Sequence, residues 1–353
     1  VLFFYILSFI FPILNQWPES YFISPAKFIS NGLDIFILNF GTQIDYLKQV
    51  AFFFIMLPVK IGLQLSVSPY TWGFELTPFL ITAYFIIMML FASWCFLKFS
   101  KDVAIGIILF SIFIYFGLTN MPWLPLILIY GLIGFKIGGL KLSLTIVASF
   151  LFITFTGVLP QALLSIYLCG IAVIISFILG SSLGIWAAHN DKVSAFMRPI
   201  NDTMQTMPSF VILIPFVMFF GIGEFTALLA IIAYAFVPAM RYTEHGLRNL
   251  PETVIEAARM IGCSQTQLLW KVKIPLAMPV IMLGLNQTIM FGLAMLVIAA
   301  LVGTTGLGQL IYIGLSKADF GTGMISGVSI ALIAIIFDRT TQAWRIKLEK
   351  KTQ

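Results

Sequence analysis

One polar segment, Glu256 to Pro279, stands between two long apolar stretches and reads EAARMIGCSQTQLLWKVKIPLAMP. Glu256 and Arg259 can make charge-assisted hydrogen bonds to another chain, Ala257 and Ala258 let a second surface come close, and Gly262 permits a sharp turn. Nine residues after Gly262 come Val272, Lys273, Ile274 and Pro275. The whole run fits the spacing E-A-A-x-x-x-G-x(9)-I-x-L-P, with Val for Ile and Ile for Leu. Such a set can dock and transmit force, but it contains no nucleophile with a base beside it. His189 and His245 lie far apart without triad or ligand partners, so no catalytic residues are expected. Cys95, Cys169 and Cys263 have no ligand spacing, so neither a metal site nor a disulfide framework is expected. No G-x-x-x-x-G-K-[ST] occurs, so any nucleotide hydrolysis must come from a partner.

The surrounding chain is of the kind that lies in a bilayer. It has 353 residues, 60% hydrophobic and 10% charged, where soluble domains carry about 25% charged residues. Apolar runs near 1–16, 77–97, 103–119, 123–139, 142–159, 162–188, 207–222, 225–241, 284–303 and 323–338 predict an all-α polytopic helical bundle. The short alternating segments of an outer-membrane barrel are absent. The segment 34–70, with Asp45, Lys48, Lys60, Pro58 and Pro69, reads better as an interfacial helix than as a span, because a lysine inside a membrane is costly. Val1 opens directly in an apolar run, as a fragment or a literally read start codon would leave it. The charged leader and small-residue cleavage site of a secretory signal are missing.

A net charge of +6 raises nucleic acid as a partner, but the basic residues form no stripe or patch and flank the spans instead. Placing the Glu256 loop in the cytoplasm and alternating outward from it puts Lys98, Lys101, Lys136, Lys141, Lys192, Arg198, Arg241 and Arg248 inside. The tail residues Arg339, Arg345, Lys347, Lys350 and Lys351 follow, whereas the outer segments after residue 77 hold only Lys317. The basic residues therefore obey the positive-inside rule, with loop and C-terminus cytoplasmic. Trp72, Trp123 and Trp186 fall near span ends, as interface anchors do.

Within the polar segment, Pro251 can open a helix that runs to Ile261, with Glu252 and Glu256 toward its positive end, and Gly262 can stop it. A second helical stretch, Ser264 to Val272, is expected to end at Pro275. The plain alternative is an amphipathic surface helix with no partner. The complete spacing favours a coupling role.

That spacing resembles the cytoplasmic coupling loop of membrane subunits of binding-protein-dependent ABC importers. The stretches DTMQTMPSFVILIPFVMFFGIG, PLAMPVIMLGLNQTIM, LVIAALVGTTGLGQ and AIIFDRTTQA resemble the permease of glycine betaine, proline betaine and choline importers over residues 121–343. The resemblance implies a MetI-like permease core at 121–343 with its coupling loop at 251–279. A membrane extension at 1–120, including the interfacial segment, would precede it, and a basic cytoplasmic tail at 344–353 would follow. It further implies a homodimer in the bacterial inner membrane, surrounded by lipid, with two cytoplasmic ABC ATPase subunits that bind ATP and Mg. This chain would bind no cofactor. The chain ends at Gln353, soon after the last span, so the solute-binding protein is expected to be a separate external chain. An aromatic cage there would select a quaternary ammonium group. The spans before the core leave room for a related methylated solute such as trimethylamine N-oxide or dimethylsulfoniopropionate.

Several polar residues in the core are candidates to line a path. Gln205, Thr206, Pro208 and Ser209 are read as opening one span, which Pro215 interrupts, and Asn286, Gln287 and Thr288 as opening another. The same residues could instead serve helix packing. Gly303, Gly306 and Gly308 suggest a tight external turn. Glu224, in GIGEF, is expected to be solvated or to touch an external protein, and Asp338 with Arg339 to form a local pair. An ion-coupled secondary transporter is the competing class, and it needs intramembrane carboxylates that are nearly absent here. A membrane enzyme needs converging His, Asp or Glu residues, which are not found.

Overall fold

The computed structural model describes residues 25–64, scattered positions between 82 and 93, and 123–352. The expected spans at 1–16 and 103–119, nearly all of 77–97, and Trp72 lie outside the described residues. The chain divides into two compact units, 1–47 and 48–353. Among the described residues of the first is most of helix α1 (Pro25–Ala51), whose Ile35, Leu38 and Tyr46 are exposed.

The second unit continues through a π turn (Phe52–Met56) into α2 (Leu57–Gln64). Its other helices are α3 (Trp123–Phe155), α4 (Leu159–His189), α5 (Asp191–Thr206), α6 (Ser209–Phe220), α7 (Glu224–Arg248) and α8 (Glu252–Met260). They are followed by a short turn α9 (Gln265–Gln267), a π turn (Leu268–Lys273), α10 (Ile274–Ala299), a 3-10 turn (Ala300–Val302), α11 (Leu307–Ser316) and α12 (Phe320–Thr352). No strand occurs among the described residues.

Among the described residues, five helical segments are long and apolar enough to cross a membrane: Ile127–Phe155, Leu159–His189, Glu224–Arg248, Gln265–Val302 and Phe320–Glu349. The first of them is not straight. Gly139 (φ 76°) breaks α3, and the two arms fold back on each other. Ser143 Oγ donates to Gly131 O at 2.8 Å, and the Tyr130 and Phe150 rings stack at 5.2 Å. In a straight helix, residues twelve apart would lie about 18 Å apart. The expected spans 123–139 and 142–159 are therefore the arms of a hairpin. The second arm, bounded by Gly139 and Gly157, is about 24 Å long, short of a full crossing.

The expected span 207–222 is also shorter than anticipated. Met207 and Pro208 are both extended, since a residue before proline avoids the helical region, and they bend α5 against α6 by 104°. Pro215 does not interrupt α6, which continues through it to Phe220. Nor does Pro275 end a helix. The π turn just before it lets Ile274 N–H donate to Leu269 O, five residues back, and this widened turn takes the proline without a break. Pro58 follows the other π turn at the same offset, with Leu57 N–H on Phe52 O. Residues 344–352, expected as a tail, continue α12 as helix.

The centre of the bundle is α4, α7 and α10, each more than half buried over its apolar window. Glycine makes that packing close. A Cβ on Gly180 would sit 2.5 Å from Phe236 O, and one on Gly184 2.6 Å from Met240 O, so α4 and α7 meet backbone to backbone along G-x-x-x-G.

Candidate functional site

Helix α8 is built from local signals. Extended Pro251 precedes it, Glu252 lies in its first turn, and Arg259 lies in its last, matching the helix dipole. Ile261 N–H donates to Ala257 O and Cys263 N–H to Ala258 O, while Gly262 takes φ 85°, a conformation costly for a residue with a Cβ. The chain then re-enters helix at Ser264. Its hydroxyl accepts from Gln267 N–H at 3.3 Å, and Gln267 Oε1 accepts from Ser264 N–H at 3.0 Å. This capping box, S-x-x-Q, was readable in the sequence and was missed.

One face of this unit is anchored. Ala258 and Leu268 are buried, and α8 packs on the π turn that leads into α10. The other face is bare. Glu256, Ala257 and Arg259 are exposed, Met260 and Ile261 are 89% and 84% exposed, and Trp270 is exposed as well. Neither the Glu256 nor the Arg259 side chain makes a hydrogen bond or ion pair among the described residues. Val272 and Ile274 are half-buried and Pro275 is exposed, all on the continuous helix leading into α10. Met260 and Ile261 were not singled out by spacing. Their signal is apolar side chains placed just before a glycine turn.

Around this unit the bundle end is tied by charge. Arg248 bonds Asp191 (2.8 Å), Glu244 (3.0 Å) and Ala187 O (2.7 Å), and Ser194 donates to Glu244. Arg241 pairs with Asp202. These contacts join α4, α5 and α7. His189 lies 3.2 Å from Lys273 Nζ.

The opposite end holds a second polar cluster that the sequence reading misjudged. Glu224 is not solvated, with a side chain only 14% exposed. It accepts from Lys60 Nζ (2.6 Å), Thr305 Oγ1 (2.9 Å) and Tyr167 OH (3.3 Å). One carboxylate thus joins α2, α4, α7 and the glycine turn 303–306. Lys48 Nζ donates to Phe220 O at 2.8 Å, satisfying a carbonyl at the end of α6. In that turn, Gly303 (φ 79°) and Gly306 (φ 123°) let Leu307 N–H reach Ser165 Oγ at 2.8 Å. Gly308 sits inside α11, 3.0 Å from Leu296 O by its missing Cβ.

The candidate path residues fall into two groups. Gln205 and Thr206 close α5, exposed beside the bend; Pro208 and Ser209 form the bend and start α6, and Pro215 is exposed on α6. Asn286, Gln287 and Thr288 lie midway along α10 rather than opening a span. Thr288 is fully buried and its hydroxyl donates to Gly284 O of its own helix, so it faces no path in this structure. Asn286 bridges to α12, donating to Asp338 (2.9 Å) and accepting from Thr341 (2.7 Å). Asp338 also accepts from Gln342, so its partners are Asn286 and Gln342 rather than Arg339.

Residues 180–344 match the family described as "Binding-protein-dependent transport system inner membrane component". The Escherichia coli glycine betaine/proline betaine transport system permease protein ProW is 40% identical over 226 residues, covering 64% of this chain and 64% of that protein. The Bacillus subtilis glycine betaine transport system permease protein OpuAB is 36% identical over 266 residues, 74% of this chain and 94% of that protein. A trimethylamine N-oxide permease protein, TmoV of Pelagibacter ubique, is 42% identical over 226 residues but is matched over 31% of its length. A solved inward-facing MetNI methionine ABC transporter has a chain matched over 93% of its length at 19% identity and TM-score 0.49. The chain spans just under two thirds of the Escherichia coli relative. The match along nearly the whole of OpuAB places the chain in the family of inner membrane components of binding-protein-dependent transport systems.

Proposed function

We propose that this chain is the permease subunit of an ATP-driven importer for a quaternary-ammonium or related methylated osmolyte. Glycine betaine, proline betaine and choline lead, with trimethylamine N-oxide and dimethylsulfoniopropionate as the related class. The observation that carries the reading is α8. It is a short helix held on one face by the π turn and bare on the other, where Met260 and Ile261 are exposed beside Glu256 and Arg259, which have no partner among the described residues. An apolar pair ringed by charge is the make-up of a docking point for another protein.

The partners are two cytoplasmic ATPase subunits carrying ATP and Mg, a separate external solute-binding protein, and a second copy of this chain. The protein lies in the bacterial inner membrane with α8 and the C-terminus cytoplasmic. The loaded binding protein docks at the end carrying the 303–306 turn. ATP closes the ATPases, and α8 passes that movement through the unbroken helix 265–302 to the opposite end, where residues 302–307 meet α4 and Glu224. Gln205, Thr206, Pro208, Ser209, Pro215, Asn286 and Gln287 are the residues offered to the path, and Thr288 is withdrawn to the packing. Glu224 and Asp338, the carboxylates nearest the packed helices α4, α10 and α12, are both engaged by protein donors. That arrangement gives no support to ion coupling.

The test is uptake of labelled glycine betaine and trimethylamine N-oxide into vesicles holding this chain, its ATPase and its binding protein. Uptake that needs ATP and both partners is expected. Equal uptake by the permease alone would contradict the proposal.

A further inference from the structure

We infer that the cleft between the α3 hairpin tip and α12 binds the phosphodiester headgroup of an anionic phospholipid, with Lys141 and Arg339 as its counter-ions. This rests on the membrane reading of the chain, not on its substrate or its ATPase. The cleft has a volume of about 530 Å³ and is lined by Lys141, Arg339, Thr145, Gln342, Leu142 and Ile335 among others. What sets these two cations apart is that they share one cleft whose lining holds no carboxylate. Lys60, Arg241, Arg248 and Arg345 each have a carboxylate within ion-pair reach. Lys141 and Arg339 have none among the described residues. The carboxylate adjacent in sequence, Asp338, is taken by Asn286 and Gln342.

Two further observations favour lipid over a soluble anion or a protein surface. The helices that form the cleft are the least covered of the five long apolar segments described: the windows of α3 and α12 are 28% and 17% buried, against 56–61% for the central three. Apolar Ile335 lines the same cleft and is 44% exposed, so an acyl chain beside the headgroup would cover surface that free phosphate leaves wet. Lys347 Nζ donates to the backbone carbonyl of Lys136, two residues before the cleft-lining Gly138, which holds one more positive charge near the hairpin tip. Basic pockets between membrane helices on the cytoplasmic side are suited to anionic headgroups, and each cation near the surface strengthens binding about fivefold.

The test uses the full-length chain in phosphatidylcholine discs doped with phosphatidylglycerol, with the lipids retained after mild detergent release counted by native mass spectrometry. Wild type should keep phosphatidylglycerol preferentially, and Lys141→Gln with Arg339→Gln should lose that preference by about fivefold per charge. The charge-preserving pair Lys141→Arg with Arg339→Lys should restore it, which separates binding from folding. Lys192→Gln, away from the cleft, should leave it unchanged. Loss of retention with the charge-preserving pair as well, or no preference in wild type, would overturn the inference. So would displacement of the lipid by equimolar inorganic phosphate, which would assign the site to a soluble anion. Protection of Lys141 only on adding the ATPase or a second copy of the chain would assign it to a protein surface.

Discussion

Two polar sites at opposite ends of the bundle, the Glu224 cluster and the bare face of α8, treat their charges in opposite ways. At one end Glu224 is nearly enclosed and holds Lys60, Tyr167 and Thr305 together, so that its charge is answered within the chain. At the other, Glu256 and Arg259 stand exposed beside Met260 and Ile261, with no partner among the described residues. A membrane protein has little to gain from an apolar pair bared next to unanswered charge unless another surface covers it. The difference marks where the fold completes itself and where it waits for a partner.

The largest expected effect lies at the bare end. Gly262→Val forces a Cβ into φ 85°, with open space around it, so the cost falls on the turn and not on the core. Uptake should be abolished while the amount of protein in the membrane stays normal. A mutant that transports normally would remove α8 from the mechanism.

The next prediction sets the ends against each other. Glu224→Ala leaves Lys60 largely enclosed without its carboxylate and should cost about 2–3 kcal/mol, read as a clear fall in the unfolding midpoint. Glu256→Ala removes an exposed charge with no partner and should stay within about 0.5 kcal/mol. Equal destabilisation by both would erase the contrast.

The smallest effect is at the start of α12. Thr322 donates to Asp319 through its hydroxyl (2.7 Å) and its backbone N–H (3.2 Å), and these donors hold the Asp319 carboxyl below its ordinary range. A carboxyl depressed in the folded state stabilises above its unfolded value and loses that contribution as pH falls through the folded one. The hydrogen-exchange protection factors of residues 320–323, corrected for the intrinsic rate at each pH, should therefore fall slightly below the usual carboxylate range, and Asp319→Asn should flatten that dependence. No change with pH would show that the cap contributes nothing.

Legibility followed distance along the chain. Helix α8 could be read almost residue by residue because Pro251, Gly262 and Ser264 act within a few positions of where they stand. The Lys60–Glu224 pair is separated by 164 residues, and nothing local to either announces the other. Lys60 could be recognised as costly in a membrane but not as answered. The prolines misled for a related reason. A proline in a helix reads as a break, yet at Pro58 and Pro275 a π turn immediately upstream absorbs it, and that turn has no sequence signature. The hairpin in α3 hinges on Gly139, one of several glycines in a short stretch, and only packing decides which of them turns. Gly180 and Gly184 were the reverse case. Their G-x-x-x-G spacing is legible in the sequence and signals the backbone-to-backbone contact that α4 makes with α7.

The central claim is that α8 faces the cytoplasm and is covered by an ATPase. The most direct measurement is labelling of Ile261→Cys, at a position 84% exposed, in a chain with its native cysteines replaced, using a membrane-impermeant thiol reagent. Labelling should occur in inverted vesicles but not in intact cells, and added ATPase subunits should suppress it. Labelling from the external side, or labelling indifferent to the ATPase, would contradict the account.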